Sequence, residues 1–192
     1  MQGAKKMKLK DFDFRLVMSE AFMKNHIKCE HKECQCAEFK SLVYGKEAVL
    51  SFADLIFEDN EAQLELYTGF KDKNGVKIFE NDIVLFIPND SEKFLHTINY
   101  DKERGFFFSD DCNLDDEYCE GCTEVIGNIH KNKELVDFME KEKKAFKKFH
   151  QKFENKYDEN GKPVKEFYEE NTRLSIYFKQ ELEKLLDDGL YK

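Results

Sequence analysis

Tryptophan is absent from the 192 residues, and proline occurs only twice, at Pro88 and Pro163. The apolar material therefore rests on Phe and Tyr, and both prolines fall where a regular element should stop. No apolar run approaches the length that a membrane-crossing helix requires. The opening MQGAKKMKLKDFDF is basic, but it lacks the apolar centre and small-residue cleavage site of a secretory signal, so a cytoplasmic location is expected. Catalytic signatures are also missing: no Walker, GxGxxG or HExxH pattern occurs. His26, His31, His96, His130 and His150 are scattered and join no Ser or Cys motif, which argues against an enzyme.

Charge is present in quantity. Charged residues make up 37% and aromatics 14% of the chain, as in a globular protein whose large rings sit among solvated charge. The net charge of −9 opposes unspecific attraction to phosphate backbones, so duplex DNA is a poor partner. Lys141 to Lys152 is rich in lysine, yet Glu140, Glu142 and the regular spacing of Phe read as a solvated helix face. The length suits one domain, or one domain with an appendage.

Periodicity divides the chain near residue 131. Phe12, Phe14, Leu16 and Met18 alternate with Asp13, Arg15 and Val17, which predicts a half-buried strand. A second apolar run covers 41–57, with a turn at Tyr44-Gly45-Lys46. Strands follow over 64–67, 76–79, 83–87, 93–100, 105–109 and 124–129, punctuated by Asn74-Gly75, the corner Glu80-Asn81-Asp82, and Asp101 to Arg104. At the corner, Asn81 tolerates a left-handed backbone and Asp82 is placed to accept backbone N–H groups. Many short strands at short intervals indicate a small barrel or sandwich. Beyond Asn132, Leu135, Phe138, Met139, Phe146, Phe149, Phe153 and Tyr157 form one helical stripe; after a break at 158–163, Phe167, Leu174, Phe178, Leu182 and Leu185 form another. Two such helices should pack as an antiparallel hairpin. The expected class is thus α+β: a β-rich body over 1–131 and a C-terminal α-helical hairpin over 132–192.

The segments LELYTGFKDKNGVKIFENDIV and, later, EVIGNIHKNKELVDF resemble the YopX family of phage and prophage proteins. DFDFRLVMSEAFMK is similar to that family's opening strand, with a different ending, and the likeness covers roughly residues 8 to 138. It implies an SH3-type small barrel, here about 64–130, a phage or prophage origin, a bacterial host cell, and self-association in some members. It implies no reaction. The family segment carries Gly where this chain has Asn81.

Two cysteine clusters depart from that pattern: HIKCEHKECQC, with Cys29, Cys34 and Cys36, and CNLDDEYCEGC, with Cys112, Cys119 and Cys122. In a reducing compartment thiols or metal ligands come before disulfides. The C-x2-C pair Cys119 and Cys122 with the C-x4-C pair Cys29 and Cys34 has the spacing of a closed structural zinc site. Cys36 in place of Cys29, His26 or His31 as a fourth ligand, plain buried thiols, and redox use of the C-x2-C remain alternatives.

The sequence therefore predicts a non-enzymatic accessory protein acting through protein contacts or homo-oligomerisation. One alternative is a nucleic-acid-related module, either a single-strand binder through Phe106, Phe107 and Phe108 beside Arg104, or an acidic inhibitor occupying a host protein's nucleic-acid groove; the other, a zinc enzyme, is less favoured and would need an open site with three protein ligands. Asp101, Asp110 and Asp111 beside that Phe run repel phosphate, so a strand-interior reading of the rings is preferred.

Overall fold

The computed structural model describes residues 13–18, 42–44, 62–89, 92–109, 112–115 and 117–189. Among these, nine strands precede two helices, all strand pairings are antiparallel, and the class is α+β. A first sheet has the order β2-β1-β3-β4, built from β1 (Phe14–Met18), β2 (Leu42–Tyr44), β3 (Ala62–Lys71) and β4 (Lys77–Phe79). A second has the order β8-β7-β6-β5-β9: β5 (Asp82–Asn89), β6 (Glu92–Asp101), β7 (Phe106–Ser109), β8 (Cys112–Asn113) and β9 (Thr123–Asn128). Its ladder ends at β8 and β9 and does not close into a ring. A π-helical turn, Glu117–Gly121, leads into β9.

Compactness groups the chain differently from composition. One unit comprises residues 1–81 and 98–121, the other residues 82–97 and 122–192. The first contains the β2-β1-β3-β4 sheet. The expectation of a half-buried β1 is corrected here: Phe14, Arg15, Leu16 and Val17 are all buried, because β1 is interior to its sheet and Arg15 meets a carboxylate on β3. The Asn-Gly turn falls as expected, with Gly75 at φ 81, a left-handed value that disfavours a side chain.

The second unit holds the helices. α1 (Lys133–Phe153) and α2 (Lys165–Asp187) appear where the 3.6-residue periodicity places them. Ring contacts pair Phe138 with Phe178 and Phe153 with Phe167, so the helices run antiparallel. Near its base the hairpin covers one sheet face: Leu135, Phe138, Phe178, Leu182 and Leu186 share a core with Ile83, Leu85, Leu95 and Ile126. Towards the tip, Phe149, Phe153 and Phe167 cluster among themselves. Tyr157, expected on the α1 stripe, lies beyond the helix and is 60% exposed, because Asn155 at φ 65 turns the chain immediately after Phe153.

The β9 to α1 junction shows why EVIGNIHKN has its residues. The Asn128 backbone N–H donates to Asn132 Oδ1 at 3.0 Å, and the His130 N–H donates to Asn128 Oδ1 at 2.9 Å. A Cβ at Gly127 would stand 2.5 Å from that same Asn132 oxygen. Glycine is therefore favoured by close approach rather than by its dihedral, since a Cβ would displace the Asn132 side chain that accepts from the Asn128 N–H. The second apolar run predicted over 41–57, apart from β2, and most of its turn at 44–46 lie outside the described residues, as does the start of the first strand at Phe12.

Candidate functional site

Three places were singled out by the sequence: the corner at Glu80-Asn81-Asp82, the cysteines, and the Phe106 to Phe108 run. The corner is built around a buried ion pair. Arg15 Nε donates to Glu65 Oε2, both side chains being almost fully buried, and Arg15 Nη2 donates to the Glu80 carbonyl at 2.7 Å. The guanidinium carbon lies 5.1 Å from the centroid of the Phe79 ring, within cation–π range. Asn81, at φ 64, donates from Nδ2 to the other Glu65 oxygen at 2.6 Å. Asparagine thus accepts the left-handed backbone that glycine would also adopt, and adds what glycine could not, an amide that anchors a buried carboxylate. Burial pushes the Glu80 carboxyl above its usual range, against the opposing pull of a backbone hydrogen bond at Leu66. The Tyr67 phenol is likewise raised by burial, with Lys77 lowering it.

Asp82 opens β5 at 2% exposure, in register with Asn128. At the preceding Asn-Gly turn a carboxylate caps the backbone: Asp72 Oδ1 accepts the N–H groups of Asn74 and Val76, both at 2.8 Å. Asp72 is also buried, so the carboxylate that fixes the Asn-Gly turn sits at its start.

Of the four proposed zinc ligands, Cys119 lies on the π-helical turn and is fully buried, and Cys122 is partly exposed just before β9. Cys29 and Cys34 lie outside the described residues, as do Cys36, His26 and His31. Among the described residues no group of three or more His, Cys, Asp or Glu is placed to hold a metal. The Phe106 to Phe108 rings are half-buried on β7; Phe107 packs 4.8 Å from Tyr100 and Phe106 lies 6.2 Å from Phe108, while Arg104 is paired with Asp101 at 3.7 Å.

What the sequence reading passed over is a cleft at the hairpin tip, with a volume of about 720 Å³. Its less exposed lining is apolar, namely Phe153, Pro163 and Phe167, and its exposed lining includes Lys147, Lys156 and Tyr157. The connection between the helices is ordered by Asp158, whose Oδ1 accepts the N–H groups of Asn160 at 2.8 Å and Lys162 at 2.9 Å; Tyr157 bridges to Pro163. The ammonium groups of Lys152 and Lys156 each lie 5.2 Å from the Phe153 centroid. The available signal was a pair of aromatics on either side of the break, Tyr157 and Phe167, in a lysine-rich context. Read as helix stripes, they pointed inward.

Comparison with known proteins adds a family and a likeness to solved structures. The family model described as YopX protein matches residues 8–137. A crystal structure of protein EF1440 from Enterococcus faecalis is 32% identical over 49% of this chain and 64% of its own, with a TM-score of 0.32. This chain therefore spans slightly less than two thirds of that protein. No curated protein matches.

Proposed function

We propose, on the premise that this chain belongs to the YopX protein family, that it is a non-enzymatic phage or prophage accessory protein working through protein contacts or self-association. The carrying observation is the contrast between the family motif and the hairpin. In the motif, the buried charges hold backbone: Arg15, Glu65, Asn81 and Asp72 bond to one another or to main-chain groups. Along the hairpin, Tyr157, Tyr168, Ile176 and Tyr177 leave between 41% and 60% of their surface in solvent. Large exposed apolar side chains are what a protein interface draws on.

The family match stops at residue 137, early in α1. Most of the hairpin thus lies beyond the family match, and a segment outside the shared body is where specificity for a partner would be carried. A structural zinc held by Cys29, Cys34, Cys119 and Cys122 belongs to the same reading, as a staple without a reaction. Size-exclusion chromatography with light scattering on the full chain tests the proposal. Association that grows with protein concentration, or a stable complex with a host protein, is expected. A strictly monomeric chain that captures no protein overturns it.

A further inference from the structure

Between residues 141 and 156 the chain carries seven lysines and two glutamates, an excess of five positive charges in a protein whose net charge is −9. Two of those lysines are already engaged with carboxylates, Lys144 with Glu140 and Lys152 with Glu170. Lys141 donates to the Tyr177 hydroxyl at 2.6 Å. Lys147 and Lys156 instead flank the tip cleft, whose one acidic lining residue is Glu154. A cleft whose less exposed residues are apolar and whose exposed rim carries two cations selects a ligand that is apolar at its centre and anionic at its edges.

We propose that this cleft docks an acidic segment of a partner protein. One aromatic or large aliphatic side chain enters against Phe153, Pro163 and Phe167, and carboxylates on either side of it meet Lys147 and Lys156. The proposal rests on the protein-contact reading above and supplies the chemistry of the partner. The surroundings favour a peptide over a nucleic acid. A single strand brings evenly repeated phosphates, and these would run past Glu154, Asp158 and Glu159, all exposed at the tip. A peptide can carry its carboxylates only where the lysines are. The cleft volume of about 720 Å³ accommodates a large side chain with its neighbouring backbone.

The test uses the full chain and a fluorescein-labelled peptide in which one Phe is flanked on both sides by Asp and Glu, read by fluorescence anisotropy. Saturable binding that weakens with salt is expected, lost when the peptide Phe is replaced by Ala. The double variant Lys147→Glu/Lys156→Glu should bind about tenfold more weakly. Lys133→Glu/Lys143→Glu, which changes the net charge equally on exposed positions outside the cleft lining, should bind as the parent does. Circular dichroism checks that each variant keeps its helices. Absence of saturable binding at millimolar peptide, equal weakening in both double variants, or tighter binding of an oligo-dT strand than of the peptide overturns the proposal. Protein association that persists undiminished in Lys147→Glu/Lys156→Glu overturns the cleft but leaves the contact reading standing. A chain that associates with no protein at all overturns both.

Discussion

The Arg15 to Glu65 pair is where single residues matter most. Two charges taken out of water have lost hydration, and they are tolerated because every strong direction is answered: guanidinium to carboxylate, guanidinium to the Glu80 carbonyl, Asn81 amide to the second carboxylate oxygen. Removing one partner leaves the other charge buried and uncompensated. Glu65→Leu should therefore destabilise the chain by about 3–5 kcal/mol, measured by urea unfolding, and Arg15→Met by a similar amount. The double variant should be markedly less destabilised than the two single losses added together, because no unpaired charge remains. Strict additivity would mean that the pair is not a coupled unit. Nothing in the alternation of Phe14, Leu16 and Met18 revealed this. Arg15 reads from sequence as an outward-facing residue, and its partner lies fifty positions away.

At the level of elements, the helices and most strands were legible because each carries its own period: 3.6 residues over 133–153 and 165–187, two residues along the strands. Junctions were less so, since they depend on which side chain meets which backbone group. The passage from β9 into α1 is the clearest case. Asn132 precedes α1 yet makes no side-chain cap to the helix; its oxygen reaches back to the Asn128 N–H across a space that exists only because residue 127 has no Cβ. Gly127→Ala should therefore lower stability by about 1–3 kcal/mol through overpacking. Adding Asn132→Ser, which shortens the obstructing side chain, should recover part of the loss in thermal melts. No loss for Gly127→Ala would mean that the junction can relax freely and that the glycine is there for another reason. The cleft lay beyond sequence reading for a related reason: Tyr157 follows the α1 period for one step past the point where Asn155 reverses the chain.

At the scale of the whole molecule, composition and compactness divide the chain in different ways. The change near residue 131 separates strand-forming from helix-forming sequence, whereas the compact unit containing both helices also includes β5, the first part of β6, and β9. The reason is shared burial. Five of the nine buried residues in that core, Leu135, Phe138, Phe178, Leu182 and Leu186, come from the helices. Removing residues 132–192 would uncover Ile83, Leu85, Leu95 and Ile126 in one step. Each large core side chain lost typically costs about 2–5 kcal/mol, and a whole domain holds only about 5–15 kcal/mol in reserve. A chain ending at residue 131 should therefore bind a hydrophobic dye, lose cooperative unfolding and show little amide protection along β5 and β6. If the shortened chain instead melts cooperatively near the full-length temperature, the helices are an ornament on a self-sufficient body, and the sheet face they cover must be stable without them.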